Sequence, residues 1–227
     1  MLSGYDCRVP VEDAVAVYPG RGLIFLVDDH GPAWAYFITG RSAASKARRV
    51  RAETDCLTVT PTTETAERDV LRHYACARWA DDTLVVGNGD HVDVITAPLG
   101  RRVPLETIAE GIEPEPDPPI WTPRIALVAG SRSWFVSARR VGGEIVRALH
   151  ALDDMRGLAS VLTTYSAEAS NPVADAPFAV VTESRGLQEM CGELFYSHLD
   201  ENYRVLLVAG RLTSTSHPQV DCSFVLS

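Results

Sequence analysis

Arginine supplies almost all the positive charge of this chain, and one segment concentrates it. Lys46 is the only lysine among 21 lysine and arginine residues, and it lies within residues 41–51, where five residues are basic. No acidic residue occurs within residues 30–52. Guanidinium groups pair well with phosphate, and the pKa of a lysine can be tuned by its surroundings. The segment therefore predicts either an anion-binding site around Arg41, Ser42 and Lys46 or a solvated basic face.

Two glycine-containing turns also carry polar side chains. Residues 18–22 read Tyr-Pro-Gly-Arg-Gly and deliver Arg21 at the head of a predicted strand, where glycine allows a ligand to approach the backbone closely. Residues 87–93 contain a turn at Asn88 and Gly89, and the asparagine amide is suited to reading an amide or carbonyl of a substrate. Plain structural turns are the alternative interpretation of both segments.

A proline-rich loop carries acidic and basic groups just before a predicted strand. Residues 113–119 read Glu-Pro-Glu-Pro-Asp-Pro-Pro, which favours a stiff, extended loop over a helix or a central strand. Glu115 and Arg124 are suited to positioning a substrate there, although an ordinary surface loop is the alternative. A domain linker is a further interpretation, but strands of similar composition on both sides favour a single domain over residues 1–227.

The composition of the whole chain excludes several classes of protein. Its 227 residues, 46% of them hydrophobic, are enough to bury a sizeable core. The net charge of −9 argues against binding to nucleic acid or to anionic membranes. No apolar run approaches the ~20 residues of a membrane span, and no signal peptide is evident. Scattered cysteines and histidines predict a reduced, cytoplasmic protein without a metal site.

Short strands joined by hairpins dominate the predicted secondary structure. Hairpins are predicted for residues 22–27 with 33–38 and for residues 74–79 with 83–87. Further strands are predicted at residues 124–129, 134–137, 159–165, 204–209 and 220–225. Helices are predicted at residues 105–110 and 186–199, the second with a Ser184 cap, and a short helix begins at Ser42 in the basic segment. Antiparallel strands with few helices indicate the α+β class.

Taken in order, these segments resemble the archaeal-type IMP cyclohydrolase family and its bacterial relatives. The matching motifs are Tyr-Pro-Gly-Arg-Gly at 18–22, Ala-Tyr-Phe-Ile-x-Gly-Arg-Ser at 35–42, a basic residue at 46, Tyr-x-Cys-x-Arg at 74–78, Asn-Gly-Asp-x-x-Asp at 88–93, Glu-Pro-Asp at 115–117 and Thr-Pro-Arg-Ile at 122–125. The resemblance extends over about residues 18–182 and is weaker afterwards. No single motif is diagnostic, but the ordered set is fairly specific.

The resemblance implies a four-layer α-β-β-α sandwich of the N-terminal nucleophile hydrolase type, without the self-cleavage that those hydrolases use. It also implies an enzyme of the cyclic amidine hydrolase class, which closes 5-formamidoimidazole-4-carboxamide ribotide to IMP with release of water in purine biosynthesis. That reaction requires no metal and no other cofactor. A purine nucleotide is the expected partner, and a homo-oligomer is a further expectation.

The resemblance and the needs of this reaction assign roles to individual residues. The catalytic candidates are Tyr74 as a proton donor or acid–base partner, Glu115 as the base or as a group that fixes an arginine, Asn88 as the group that orients the carboxamide, and Lys46 as an anion ligand. We expect nearby cations to lower the pKa of Tyr74. The substrate-binding candidates are Arg21, Arg41, Ser42, Arg78, Gly89, Asp93, Thr122 and Arg124. No metal ligand is assigned.

Departures from the family pattern keep other functions open. Ala75, Val92 and the pair Ile120–Trp121 stand where the family has Asn, Thr and Asn-Tyr, and each departure is expected to remove a polar group near the pocket. The substrate is then IMP's precursor or a related carboxamide nucleotide. A purine-nucleotide-binding protein without turnover is another interpretation. An N-terminal nucleophile amidohydrolase is a third and would need a processed Ser, Thr or Cys at residue 1.

Overall fold

The strands form two antiparallel sheets in the computed structural model, which describes residues 10–16, 18–63, 71–212 and 222–227. They are β1 (Arg21–Asp28), β2 (Gly31–Thr39), β3 (Arg48–Ala52), β4 (Cys56–Pro61), β5 (Tyr74–Ala80), β6 (Thr83–Gly87), β7 (Arg124–Ala129), β8 (Ser133–Val141), β9 (Glu144–Ala151), β10 (Leu158–Thr163), β11 (Phe178–Thr182), β12 (Arg204–Arg211) and β13 (Cys222–Leu226). A six-stranded sheet has the order β11-β10-β1-β2-β12-β13, and a seven-stranded sheet has the order β3-β4-β5-β6-β7-β8-β9.

Both predicted hairpins are confirmed, and their pairing explains how the sheets are buried. Strand β1 pairs with β2 from Arg21 opposite Ile38 to Asp28 opposite Gly31. Successive side chains of a strand point to opposite faces of its sheet. Leu23 therefore packs on one face of the six-stranded sheet and Ile24 on the other, and both are fully buried.

The helices of the described residues are few and short. They are a 3-10 helix (Val11–Ala14), α1 (Ala43–Lys46), α2 (His91–Leu99), α3 (Leu105–Ala109) and α4 (Leu187–Glu193), which continues as a π-helical turn (Leu194–His198). Helix α4 confirms the prediction at residues 186–199, but its predicted cap is wrong. The helix begins after Gly186 rather than at Ser184. The backbone N–H of Leu187 instead donates to the Asp28 carboxylate at 3.0 Å, because the end of β1 lies against this helix start.

Three apolar clusters fill the spaces between the two sheets and between the sheets and the helices. The first lies between the two sheets, where Trp34 of β2 and Phe135 of β8 share one core. The second lies on the other face of the six-stranded sheet, where Met190 of α4 is buried. The third lies on the other face of the seven-stranded sheet, where Ile95 of α2 and Ile108 of α3 are buried. The predicted α+β class is therefore confirmed. The helices pack on the faces of the two sheets that point away from the shared core.

Two parts of the chain differ from the predicted secondary structure. The basic segment is not one helix, since α1 ends at Lys46 and β3 begins at Arg48. Residues after Asn88 were predicted as a turn only, but they lead into the nine-residue helix α2. Among the described residues, no helix is long and apolar enough to cross a membrane.

Candidate active site

Four buried side chains from both sheets meet between the sheets. Arg21 opens β1, Arg48 opens β3, Tyr74 opens β5, and Tyr36 lies in β2. The hydroxyl oxygens of Tyr36 and Tyr74 are 2.9 Å apart, so a hydrogen bond links the two sheets. The charges of both arginines act on the Tyr74 phenol. We call these four residues the inter-sheet cluster.

Glu115 reaches the inter-sheet cluster from the proline-rich loop. Its Oε2 lies 3.3 Å from Nη2 of Arg21, and the Glu115 side chain is only 2% exposed. The backbone N–H of Glu115 donates to the carbonyl of Thr122 at 2.8 Å, which closes the loop on itself and holds the carboxylate in place. This ion pair supports the predicted role of Glu115 as a partner of an arginine.

Asn88 positions Glu115 and ties it to strand β7. Its Nδ2 donates to Oε1 of Glu115 at 3.2 Å and to the carbonyl of Pro123 at 2.9 Å. Its Oδ1 accepts the backbone N–H of Ile125 at 2.8 Å. An amide has two N–H donors, and both are used within the protein. The arrangement therefore favours a positioning role for Asn88 over the predicted contact with a substrate carboxamide.

Burial raises the pKa of both acid–base candidates. It raises the pKa of Glu115 above its ordinary value, and the charges of Arg21 and Arg124 offset only part of the effect. It also raises the pKa of Tyr74, and the charges of Arg48 and Arg21 again offset only part. The expectation of a lowered Tyr74 pKa is therefore wrong, because desolvation outweighs the predicted cations. Tyr74 is a phenol that keeps its proton and can donate it.

The two arginines of the inter-sheet cluster, but neither of its tyrosines, line a cavity of about 470 Å³. Its wall consists of Tyr18, Arg21, Arg41, Ser42, Ser45, Arg48, Leu71, Glu115, Asp117, Ile120, Thr122 and Tyr165. Arg21 and Arg48 lie at the buried end, whereas Arg41 and Ser42 are exposed at the rim. This one cavity brings together five of the predicted site residues from three separate segments of the chain.

The rim of the cavity carries two of the three residues predicted as an anion cluster. Arg41 lies 5.4 Å above the ring of Tyr18 and donates to the carbonyl of Ala169 at 2.6 Å. Ser42 is the N-cap of α1, as predicted, and its hydroxyl accepts the backbone N–H of Ser45. Lys46 is exposed and does not form part of the wall.

A hydrogen-bonded chain of side chains holds the part of the wall beside Glu115. The hydroxyl of Thr122 donates to Oδ2 of Asp117 at 2.6 Å and lies 2.7 Å from the hydroxyl of Tyr165. The Tyr165 ring stacks on Tyr18 with ring centroids 5.8 Å apart. Thr122, predicted to bind substrate, is thus a buried residue of the wall, while Asp117 and Tyr165 extend the wall beyond the predicted residues.

Arg124 and Gly89 lie behind Glu115 rather than in the cavity wall. Nη1 of Arg124 is 2.6 Å from Oδ1 of Asp90 and donates to Nδ1 of His91 at 3.1 Å. Burial lowers the pKa of His91 to about 3, and the Arg124 charge adds to this, so the ring is neutral and its Nε2 donates to the carbonyl of Ile125. A Cβ at Gly89 would lie 2.0 Å from Nη1 of Arg124, so glycine is needed for this close approach.

Arg78 and Asp93 lie on the other side of the seven-stranded sheet from the cavity. Nε of Arg78 is 2.9 Å from Oδ1 of Asp93 in α2. The pairing of β4 with β5 shifts register between Leu57 and Thr58. Strict alternation would place Arg78 on the same face as Tyr74, but a bulge turns the later residues over. Neither residue belongs to the wall of the cavity.

The departures from the family pattern fall mostly outside the cavity. Ala75 and Val92 pack in the apolar cluster beneath α2 and α3. Trp121 stacks with Arg140, whose guanidinium carbon lies 4.0 Å from the ring centroid. Only Ile120 forms part of the cavity wall. The expectation that each departure removes a polar group near the pocket is therefore wrong for Ala75 and Val92.

Two residues of the inter-sheet cluster, Arg48 and Tyr36, were not predicted from the sequence as site residues. Arg48 was counted in the basic segment but given no role, because its burial depends on where α1 ends and β3 begins. Tyr36 belongs to the Ala-Tyr-Phe-Ile motif, and a polar aromatic in a fully buried strand was the available clue. Among the described residues, no group of three or more His, Cys, Asp or Glu side chains is placed to hold a metal ion.

Comparison with known proteins gives a family and two relatives. The sequence pattern of the IMP cyclohydrolase-like protein family matches residues 18–215. The chain is 34% identical over 119 residues to an IMP cyclohydrolase of Haloquadratum walsbyi, covering 50% of this chain and 59% of the relative. It is 35% identical over 130 residues to an IMP cyclohydrolase of Natronomonas pharaonis, covering 55% of this chain and 64% of the relative. The chain thus spans about three-fifths of the length of these curated relatives.

Proposed function

Because the chain belongs to the IMP cyclohydrolase-like protein family, we propose that it closes 5-formamidoimidazole-4-carboxamide ribotide to IMP with release of water. The observation that carries the proposal is the buried Glu115–Arg21 ion pair in the wall of a cavity of about 470 Å³, with Tyr74 buried behind that wall within reach of the Arg21 charge. A cavity of this size is in the usual range for a small-molecule site. Its wall offers a base and a cation, and the protonated Tyr74 phenol lies buried beside them.

The reaction joins two weak partners, which defines what the site must do. An amide nitrogen is a poor nucleophile, and a formamide carbon is a poor electrophile. Holding the two groups face to face supplies a large part of the acceleration in an intramolecular reaction. The short contacts that fix Glu115 serve this purpose, because a base held by Asn88 and by its own backbone has one position relative to the substrate.

The proposed proton transfers balance, and they need no reactant other than the substrate. Glu115 takes a proton from the carboxamide nitrogen as that nitrogen bonds to the formyl carbon, and the formyl oxygen becomes an oxyanion. Tyr74 protonates this oxygen. The hydroxyl then departs as water with the proton held by Glu115, while the former formamide nitrogen returns its proton to Tyr74 and forms the ring double bond. Both side chains end in their starting state.

The rest of the cavity supports a nucleotide. In this proposal the phosphate meets Arg41 and Ser42, which line the rim, and the heterocycle lies between Ile120 and the buried end of the wall. We further propose that the two sheets and their outer helices form a single domain of the N-terminal nucleophile hydrolase type. The cytoplasmic location and the homo-oligomer stay predictions from the sequence. Residue 1, which the amidohydrolase interpretation needs as a processed nucleophile, lies outside the described residues.

The direct test is turnover of the formamido ribotide by the purified full chain. We expect IMP to appear, followed by its absorbance and by chromatography, with no added metal and with EDTA present. Binding of IMP without turnover would contradict the proposal and favour a nucleotide-binding protein. An intact mass that begins at a processed Ser, Thr or Cys would favour the amidohydrolase.

One observation favours a second candidate, a cyclase on a related carboxamide nucleotide. Ile120 is the one departure that lines the cavity, and it places an apolar group where the family has Asn. An apolar wall does not select strongly against a substrate with a changed polar group. Comparing kcat/KM for the formamido ribotide between the parent and Ile120→Asn tests this. A large gain in the variant would mean that the parent is built for another substrate.

A further inference from the structure

Two guanidinium groups are buried together at the closed end of the cavity. Arg21 and Arg48 are each only 9% exposed, and both form part of the wall. Nε of each side chain is buried without a hydrogen-bond partner among the described residues. Buried polar groups in proteins are nearly always paired, so two unpaired donors on neighbouring cations mark a place for an acceptor.

The charges of the cavity wall do not balance. The wall holds the guanidiniums of Arg21, Arg41 and Arg48 and the carboxylates of Glu115 and Asp117. Glu115 is ion-paired with Arg21, and Asp117 accepts from the side chain and backbone of Thr122. Arg48 is thus the buried cation whose charge has no near carboxylate of its own in this wall. Burial and the neighbouring Arg21 lower the pKa of its guanidinium, although an arginine keeps its proton at neutral pH.

We propose that Arg48, together with Arg21, binds the oxyanion that forms on the formyl oxygen during ring closure. This inference rests on the proposed function and adds to it the group that stabilises the transition state. The formyl oxygen is neutral in the substrate and carries about one negative charge only after the carboxamide nitrogen has attacked. A positive charge held in advance at that point favours the transition state over the bound substrate.

The position of Arg48 favours an oxyanion over the phosphate of the nucleotide. Arg48 acts on Tyr74, which delivers a proton to the same oxygen in the proposed reaction. A phosphate dianion at this end would lie beside the Glu115 carboxylate and would be repelled by it. Arg41 is exposed at the rim, away from the buried end that holds Glu115, and is the better phosphate ligand.

Steady-state kinetics of Arg48→Gln, with Arg49→Gln as the matched control, tests the inference. Arg49 is the next residue of β3 and is exposed. We expect Arg48→Gln to lower kcat by about 10²- to 10³-fold with KM within about threefold of the parent, as losing an oxyanion donor does. The kcat of Arg48→Lys should lie between those of the parent and Arg48→Gln, because lysine keeps the positive charge but lacks the forked guanidinium. It also serves as the second variant if the glutamine variant fails to fold.

The alternatives predict different kinetics. A raised KM with parental kcat in Arg48→Gln would mean that Arg48 binds the phosphate, and parental values of both would mean that it has no role. Either result overturns the inference while the proposed function stands. Arg49→Gln should leave both constants unchanged, and loss of activity there would point to a structural effect of β3.

Binding of formate, a singly charged oxyanion, separates failure of this inference from failure of the proposed function. We expect formate to stabilise the parent and Arg49→Gln against thermal unfolding, but not Arg48→Gln. If the parent makes no IMP from the formamido ribotide while formate binding still depends on Arg48, the reaction is wrong and the anion subsite stands. If formate binding does not depend on Arg48, the subsite is wrong whatever the turnover.

Discussion

Strand β1 begins at one cavity and ends at another, and the two cavities differ in the balance of their charges. Arg21 at its start lines the cavity of about 470 Å³, and Asp28 at its end lines a second cavity of about 420 Å³. A strand of this length separates them by roughly 23 Å. The first wall has more guanidiniums than carboxylates. The second has the carboxylates of Asp28, Asp29 and Glu183 against the guanidiniums of Arg156 and Arg185.

The difference lies in how each arginine is held. At the far end, Arg211 makes two hydrogen bonds of 2.7 Å to the Asp28 carboxylate. Arg185 contacts Glu12 at 2.5 Å and Glu183 at 2.6 Å. Arginines matched in this way tie elements together. At the near end, Arg21 has a single contact of 3.3 Å with Glu115, and Arg48 has no carboxylate of its own in the wall. Unmatched buried charge indicates a ligand site, and matched charge indicates structure.

The largest expected effect on kcat comes from Tyr74, the proposed proton donor near the Arg21 end of β1. Tyr74→Phe should lower kcat by on the order of 10²-fold or more, because the departing oxygen loses its acid. It should also lower the free energy of unfolding by about 1–3 kcal/mol, because the buried Tyr36 hydroxyl loses its hydrogen-bond partner. Tyr196→Phe, at a tyrosine that is 58% exposed, is the control and should match the parent. Steady-state kinetics and chemical denaturation measure both quantities. A parental kcat in Tyr74→Phe would remove this residue from proton transfer.

The second effect concerns the pH dependence of the same end. Glu115 must be ionised to act as the base, and burial raises its pKa above the ordinary value of 4.5. We therefore expect kcat/KM to fall as the pH drops through a value above 4.5. Glu115→Gln should lose at least about 10²-fold in kcat and should lose this acidic limb. A limb that persists unchanged in Glu115→Gln would belong to another group.

The third effect concerns Asp28 at the other end of β1, where a substitution should change the stability of the protein and not its activity. Asp28→Asn leaves the half-buried Arg211 without its charge partner, which costs about 1.5–3 kcal/mol, the value of a hydrogen bond between charged groups. The bidentate Arg211 contact lowers the pKa of Asp28, so its contribution is complete above the unfolded pKa of about 3.9 and is lost as the pH falls below it.

Urea unfolding at several pH values measures this loss. The variant should be less stable than the parent at neutral pH, with a smaller difference in strong acid, and its kcat at neutral pH should be parental. A large fall in kcat in the folded variant would contradict a purely structural role for Asp28.

The smallest effect is expected for the lone lysine. Lys46 is exposed, lies outside the cavity wall, and its Nζ is 5.9 Å from the centre of the Tyr203 ring. Lys46→Ala should change KM by less than about fivefold, as expected for an exposed charge worth about 1 kcal/mol or less, and added salt should remove the difference.

Arg41→Ala provides the matched comparison, because Arg41 forms part of the wall. It should raise KM by roughly 10- to 150-fold, the value of a lost charge-assisted hydrogen bond. A larger effect in Lys46→Ala than in Arg41→Ala would return the lysine to the site and exclude Arg41 as the phosphate ligand.

Local patterns were enough to predict much of the fold. Alternating apolar residues around the Asp28–Pro32 turn predicted the first hairpin, and the pattern around Asp81 and Asp82 predicted the second. Both rest on contacts between residues close in sequence. Helix α2 was missed, because a turn at Asn88 explains the same residues when the sheet behind them is unknown.

By itself, the sequence determined the motifs, the class of fold and the acidic and basic groups available for catalysis, because these depend on residue type and short spacing. Only the tertiary structure decided which of those groups act together. The end of α1 at Lys46 leaves the lysine in solvent and sends Arg48 inward, and the bulge in β5 turns Arg78 away from Tyr74. Burial then reversed the expected pKa shift of Tyr74. Desolvation and long-range pairing depend on the surroundings of a residue in the folded protein, which its neighbours in the sequence do not specify.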